Sequence, residues 1–576
     1  MSATGPRRRA NRTENQSKRG PVHGPVAASP QSPPSGSPLR RNIRRLELVC
    51  ALALTLLIVF LHVYRVSHAG ALWRDEVSTL VAATLPSLAE VWASLIYATH
   101  PLLPYGVLRI WTGVNWLGSS DTSLRVLGAL IGVGAVLALW LNKWLLGYHV
   151  PIFSLVLFGL NTTVIQWGDS LRGYGLGSLL IFLVYGLVWK VVESPTPQRV
   201  VLAALASILS VQCMYQNAVL LFAICLGGFL VCLRQRRWKR MLVVFGIGAI
   251  SALSLLPYVS IITRGQSNLL VTLVSLSLSQ ILSVFATALS SEANFLLWFW
   301  FLCGGISILA AGYLITVKRT DRGDGERLDL AIFSLTILVS VAVSFLLFTK
   351  RAHLQVTPWH CIVWMGSLAL SIDVLLELVN TTIPRRIARL VVALSVAALA
   401  VPVLGNQLSI RQTNLDIIAS LLQERASPGD YVVVSPWFYG ITFQHYYQGK
   451  AAWTVAPPIQ DLLFYRPDLL KEQMEKEDPL HPVFDAIEKS LHSGNRVWWV
   501  GEILAPPEGQ LPSSPPPAPN GPGGWYSFYY IYAWTLQLGY FIQSHALDGE
   551  MVNLQMNQPV SPYENVPLQV FKGWRP

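Results

Sequence analysis

Between residues 46 and 408 the chain is a succession of apolar runs separated by short polar or charged segments. Many of these runs are long enough to cross the roughly 30 Å hydrocarbon layer of a bilayer as a helix. Inside lipid no water is available to the backbone, so an unbroken run of this length must close its own hydrogen bonds, and a helix does that. The pattern therefore sets the class before any motif is read: an all-α polytopic membrane protein. Composition agrees, with 52% of the 576 residues hydrophobic and 13% charged.

About eleven transmembrane helices are expected, over residues 46–63, 122–142, 150–168, 172–189, 199–215, 218–233, 241–262, 293–317, 329–348, 358–378 and 388–408. Leu88 to Ala98 and Leu102 to Leu117 are amphipathic and carry Trp and Tyr, so they are expected to lie in the interface rather than to cross. Residues 1–45 are rich in Pro, Ser, Gly and Arg and hold too little apolar surface to order, which makes them a disordered basic tail. The run 46–63 is longer than the apolar part of a cleavable signal, and no small-x-small site follows it. It is expected to remain as an anchor.

The formal net charge of +12 would suggest a nucleic-acid partner if it were spread over a surface. It is not: residues 1–45 hold ten Lys or Arg against one Glu. No nucleic acid is implied. With the spans above, one side of the membrane collects the tail, Lys143, Lys190, Arg199, the Arg234 to Arg240 group, the Lys318 to Arg327 group, Arg385, Arg386 and Arg389, 25 basic residues in all. The other side has eight: Arg65, Arg74, Arg109, Arg125, Arg172, Arg264, Lys350 and Arg351. The basic-rich side is cytoplasmic by the positive-inside rule. A multi-pass protein of the cell membrane is expected, with its N-terminus in the cytoplasm and its C-terminal region outside. Three parts follow: the tail 1–45, a transmembrane domain 46–409 with a first external loop at 66–121, and an extracytoplasmic domain 410–576.

That last part reads as α/β. Asn414 to Arg425 has helical apolar spacing, Pro428-Gly429-Asp430 is a turn and Tyr431 to Val434 a short strand. The order repeats with helix Val483 to His492, turn Ser493-Gly494-Asn495 and strand Arg496 to Val500, then a helix near Tyr526 to His545 and a strand near Leu568 to Phe571. Trp437, Tyr439, His445, Tyr446, Tyr447 and Trp453 form an aromatic group that is either core or a platform for sugar rings. The six cysteines fall in or beside apolar runs with no CxxC spacing, so they read as small core residues. No glycine-rich phosphate loop, zinc-ligand spacing or GxSxG elbow occurs in the C-terminal region.

Chemistry concentrates on Trp73-Arg74-Asp75-Glu76, two adjacent carboxylates just beyond the first apolar run. Charge so close to a bilayer is costly and tends to stay where it reacts or finds a partner. The plainer alternative is a solvated loop with a local Arg–Asp pair. Lys350 and Arg351 stand at the outer end of a span, against the charge bias, which points either to a local anion such as a phosphate or to lipid headgroups. His353, Gln355, Trp359 and His360 follow them closely.

Several short motifs in a consistent order resemble the GT-C glycosyltransferases, nearest to the family-39, RgtA/B/C/D-like and aminoarabinose-transferase branch. They are Asp75-Glu76 early in the first external loop, His100-Pro101-Leu102 with Tyr105 and Trp111, Ser123-Leu124-Arg125 opening a span, and Gln166 to Tyr174 with Arg172 and Tyr174. The similarity covers about residues 45–380. It departs from the family at Leu102-Leu103-Pro104, where a second proline usually follows His-Pro, and at Gln216-Asn217, where relatives often have a histidine.

The resemblance implies a GT-C-like enzyme that moves a hexose or pentose, with inversion, from a polyprenyl-phosphate-linked donor to a lipid, glycan or protein acceptor on the outer face. It implies Asp75 as general base or as ligand of a divalent metal, Mg or Mn, with Glu76 beside it as a catalytic carboxylate. Lys350, Arg351, Arg172 and Arg264 would bind the donor phosphate, and His100, Asp169, Tyr174 and His353 the substrate. Two other classes stay open. A transporter would place ionisable residues inside spans and repeat itself in matching halves, features not evident in the sequence. A non-catalytic cell-envelope assembly protein would leave Asp75 dispensable.

Overall fold

The computed structural model describes residues 38–114, 118, 120–148, 150–269, 276–316, 324–352, 356–379, 382–507, 510–518 and 526–576. Among them nine helices are long and apolar enough to span a bilayer: Pro38–His68, Asp121–Leu146, Gly173–Glu193, Gln216–Arg234, Trp238–Gly265, Asn294–Thr316, Gly325–Arg351, Pro358–Val379 and Ile383–Leu408. Pro358–Val379 is buried along almost its whole length and forms the centre of the bundle, whereas Trp238–Gly265 turns Leu242, Phe245, Ile250 and Leu253 outward.

Two of the eleven expected spans differ from simple long helices. Residues 199–215 fall in Pro197–Cys213, a helix of 17 residues. Residues 150–168 are a broken segment: Ile152–Ser154 widens into a π turn at Leu155–Gly159, and a new helix starts at Thr162–Gly168. Asn161 caps the new helix. Its side-chain oxygen accepts from Val164 N at 3.2 Å, and its amide donates to Ala288 O at 3.0 Å. Residues 151–165 are all buried, so the irregular backbone is enclosed by protein, the condition under which lipid-depth breaks are tolerated.

Buried ionisable groups gather at the ends of several spans. Arg389 pairs with Glu377 and lies 3.1 Å from Asp373, while Arg386 lies 2.6 Å from Glu47 in the first span. Asp373 also accepts from Phe153 N and Ser154 Oγ, at 3.1 and 2.9 Å. The cluster ties the first and last spans to the broken segment, near the ends expected to be cytoplasmic. Two arginines and three carboxylates are paired there, so none of the buried charges stands alone.

Among the described residues the C-terminal part holds five strands, β1 Tyr431–Val434, β2 Ala452–Val455, β3 Val497–Val500, β4 Ala546–Met551 and β5 Leu568–Trp574, in the order β2-β1-β3-β5-β4. β2, β1 and β3 run parallel, with Val432 opposite both Trp453 and Trp498. β5 is antiparallel to β3 and to β4. β1 and β3 are almost continuously buried, as central parallel strands covered on both faces should be. Two strands, β2 and β4, were not expected, because Ala452–Val455 is partly polar and exposed and β4 contains Asp548, Gly549 and Glu550.

The first external loop is not loose. Residues 74–84 form a helix, Arg74–Thr84, and Leu103–Gly113 another, packed together. Leu72, Val77, Leu80, Tyr105 and Leu108 share one apolar core with Ile418, Val433, Trp437 and Ile441 of the C-terminal part. Polar clamps close the same seam: Tyr446 donates to Asp121 at 2.7 Å while accepting from Leu72 N at 2.8 Å, and Gln412 N donates to Ala69 O at 2.8 Å. The aromatic group of the sequence divides accordingly. Trp437 and Tyr447 are core, and Tyr446 is a clamp.

Candidate active site

The helix Arg74–Thr84 begins at Trp73, and its first turn holds Arg74, Asp75 and Glu76. Acidic side chains suit that position because the first backbone N–H groups lack partners. Consecutive side chains on a helix point about 100° apart, so the two carboxylates face different surroundings.

Glu76 faces inward and is fully buried. It accepts from Trp73 N at 3.4 Å and Leu171 N at 3.2 Å, and it pairs with Arg125, whose other nitrogen donates to Ala71 O at 2.9 Å. Its oxygens thus all have partners within the protein. Asp75 faces outward, with 28% of its side chain exposed. Its nearest charged partners, Arg74 Nε and Arg172 Nη2, are each 3.8 Å away.

Arg172 precedes the span Gly173–Glu193. It donates to Thr99 Oγ1 at 2.8 Å, to Thr79 Oγ1 at 3.2 Å and to Asp75 O at 3.4 Å, which braces it across three elements. Burial opposes its charge, but the Asp75 carboxylate beside it more than offsets this, and its pKa lies above the ordinary arginine value. His100 is buried against the same wall, with Nδ1 2.9 Å from Thr99 Oγ1. Burial first, then the Arg172 and His360 charges, hold its pKa well below the usual histidine value, so it is neutral. Tyr174 lies edge-on between His100 and His360, with ring centroids 5.2 and 5.7 Å away. The His360 ring accepts from Thr357 N through Nδ1 at 3.1 Å.

The C-terminal part forms the opposite wall. The Arg74 guanidinium sits 4.6 Å over the Phe438 ring. Tyr465 is packed on Trp437 at 4.9 Å, and burial raises its phenol pKa, with Arg74 and Asp75 as its charged neighbours. Arg466 stacks over Tyr97 at 4.6 Å and is held by Asp461 and Asp468, which joins the loop before Pro467 to the first external loop.

Structure thus brings together Asp75, Arg172, His100 and Tyr174 from the sequence-derived set. It sends Asp169 elsewhere: both carboxylate oxygens meet His62 Nδ1 in the first span, at 2.7 and 2.9 Å. Lys350 and Arg351 end the helix Asp324–Ala352 and are exposed, Lys350 donating to Leu276 O at 3.1 Å. Among the described residues no hydrogen bond or ion pair joins them to Asp75 or Arg172. Arg264 is exposed on Val259–Leu269, a helix packed against Leu95–Tyr97. His353 lies outside the described residues. Thr79, Thr99, Phe438, Tyr465 and Glu564 were missed, since their types are common and only the fold gathers them.

Among the described residues no three His, Cys, Asp or Glu side chains gather as a metal site. At Asp75 the donor set does not suit a divalent cation, because two guanidinium groups flank the one open carboxylate and Glu76 is occupied.

Fold and site together define a polytopic helical membrane protein with an open carboxylate and a braced arginine at the seam between its spans and an α/β part. No family model matches the chain, and no curated protein matches its sequence. Solved structures similar to it include ArnT from Cupriavidus metallidurans bound to undecaprenyl phosphate, at 11% identity over 91% of this chain and 97% of that one, with a TM-score of 0.46. The oligosaccharyltransferase of Archaeoglobus fulgidus tethered with an acceptor peptide matches at 10% identity over 91% of this chain and 74% of that one, with a TM-score of 0.45. The same archaeal enzyme, AglB, in complex with an inhibitory peptide and a dolichol-phosphate matches at 12% identity over 78% and 69%, also with a TM-score of 0.45.

Proposed function

We propose that the protein is a GT-C-type glycosyltransferase of the cell membrane, transferring a sugar from a polyprenyl-phosphate-linked donor to a lipid, glycan or protein acceptor on the outer face. In this proposal residues 1–45 are cytoplasmic and 410–576 lie outside. The observation that carries it is the contrast between the adjacent carboxylates: Glu76 is occupied, while Asp75 stays partly exposed with its nearest cations at 3.8 Å.

Asp75 is the general base. It takes the proton of an acceptor hydroxyl as that oxygen attacks the anomeric carbon, a role worth about 10²- to 10⁴-fold in rate. Attack opposite the departing phosphate inverts the anomeric centre. Arg172 is fixed by Thr79 and Thr99 before substrate arrives, so its positive charge meets the negative charge that grows on the leaving phosphate without reorganising. Neutral His100 and Tyr174 line the same wall and orient the sugar.

A transporter is less well supported, because the ionisable groups inside the bundle are consumed by one another, as in His62 with Asp169 and Arg389 with Asp373. The test is mass spectrometry of membrane lipid extracts. Cells carrying only Asp75→Asn should accumulate a polyprenyl-phosphate sugar that wild-type cells consume; identical donor pools would overturn the proposal.

A further inference from the structure

Glu564 comes 490 positions after Arg74, in the connection from β4 to β5, yet its carboxylate is fully buried at the start of the helix Arg74–Thr84. One oxygen accepts the Arg74 backbone N–H at 3.2 Å, and Thr442 Oγ1 lies 3.2 Å from both oxygens. Its own segment is anchored: Glu564 N donates to Ser561 O at 3.1 Å, and Ser561 N to Arg411 O at 2.9 Å. The Arg74 N–H is one of the donors that a helix start leaves without an internal partner.

A neutral acceptor would satisfy that donor at lower cost, since burying a carboxylate is far more expensive than burying an amide. Something else must account for the charge. The titratable or charged groups facing Glu564 are the Arg74 guanidinium and the Tyr439 phenol, with Glu502 near Tyr439, and the hydroxyls of Thr413 and Thr442 complete its surroundings. Arg74 is the same guanidinium whose Nε lies 3.8 Å from Asp75. The backbone N–H that Glu564 holds and the Asp75 carboxylate thus belong to adjacent residues of one helix turn.

We infer that Glu564 is a positioning residue for the proposed transfer: by holding the Arg74 backbone N–H it fixes the first turn of Arg74–Thr84, and with it the Asp75 carboxylate that takes the proton. The inference rests on the proposed function and makes the C-terminal part a working piece of the site. Burial pushes the Glu564 pKa up to about 7, with Arg74 opposing only in part, so its charge changes near neutral pH. When Glu564 is protonated, its hold on the Arg74 backbone N–H weakens and the first turn loosens.

The test uses the full chain in lipid nanodiscs, with polyprenyl-phosphate sugars labelled in the sugar as donor and a membrane extract as acceptor source. Misplacement of a reacting group by even 1 Å can cost about 10²-fold, so Glu564→Gln should slow turnover roughly 10- to 100-fold with little change in donor KM. Its rate should also lose the acid limb near pH 7, which Glu564→Asp should retain. A Glu564→Gln protein with the wild-type rate and pH profile would overturn the inference. Hydrogen exchange provides an arm independent of activity: in Glu564→Ala the amides of residues 74–79 should exchange at least about tenfold faster, with β1 and β3 unchanged. Unchanged protection at 74–79 would also overturn it. If the wild type turns over no labelled donor, the functional proposal falls, and the exchange arm still decides whether Glu564 positions the helix.

Discussion

Glu76 and Arg125 form an ion pair buried where the first external helix meets the span that opens at Asp121. One residue earlier, Asp75 is open. The difference follows from helix geometry, and it separates two mutations that look alike on paper. Removing one member of a buried pair costs about 3–5 kcal/mol, because the other charge is left without compensation.

Glu76→Gln should therefore lower the melting temperature of the protein in nanodiscs and reduce its yield, whereas Asp75→Asn should melt like the wild type and lose at least about 10²-fold in transfer. Thermal unfolding followed by tryptophan fluorescence, with donor turnover on the same samples, makes the comparison. A destabilised Asp75→Asn with normal turnover would reverse the two assignments.

The apolar runs made the bundle legible, since length and hydropathy alone demand spans. They could not show the break at Asn161, because the residues around it are as apolar as any span and the interruption depends on contacts to Ala288 and Ser291. Asp75 was legible as a charge beside the membrane. That Glu76 is occupied was not, for Arg125 and Leu171 are distant in sequence. Asp169 was legible as a carboxylate but not as the partner of His62, which sits within an apolar run and carries no local signal.

Arg172 and the Lys350–Arg351 pair offer rival sites for the donor phosphate. Arg172 is braced by two threonines beside Asp75; Lys350 and Arg351 are exposed and lie apart from that cluster. Arg172→Gln should cut turnover by about 10²-fold or more, the scale for losing a preorganised charge stabiliser. Arg351→Gln should change it less than about threefold at physiological salt, where exposed charges are screened. Steady-state kinetics at fixed ionic strength decides the point, and the opposite ranking would move the phosphate to Lys350 and Arg351.

Arg389 joins Asp373 and Glu377 and lies 4.0 Å from Glu47 in the first span. Arg389→Met would leave buried carboxylates without their main cation, a loss of about 3–5 kcal/mol. The expected outcome is a large drop in thermal stability with residual turnover per folded molecule intact. Normal stability would show that the carboxylates had taken up protons at little cost.

Topology is open to direct measurement. In a cysteine-free background, Glu424→Cys should react with an impermeant maleimide in intact cells, and Lys239→Cys only after the membrane is permeabilised. Both residues are exposed, so access to the protein surface is not limiting. Equal labelling before permeabilisation would overturn the charge-based orientation.

The pH dependence of stability isolates Glu564. Its pKa rises on folding from an ordinary 4.5 to about 7, chiefly through burial, so the folded state favours the neutral carboxyl. A group shifted upward contributes stability that is complete below its unfolded pKa and is lost as pH climbs through its folded pKa. Wild-type protein should thus lose stability relative to Glu564→Gln as pH rises from about 4.5 to 7, by at most about 1.4 kcal/mol per pH unit, the limit for one proton. Above that window the fold must hold an ionised carboxylate beside the Arg74 amide, and the gap between the two proteins should stop changing. The same ionised form is the one that holds the Arg74 backbone N–H most firmly, so the pH range in which stability declines is the range in which turnover rises. Melting curves of both proteins from pH 4.5 to 8.5, measured in the same nanodiscs, should show their difference in midpoint narrowing or reversing across that window. A difference that stays constant with pH would mean that Glu564 does not titrate there, and the link between its proton and Asp75 would have to be abandoned.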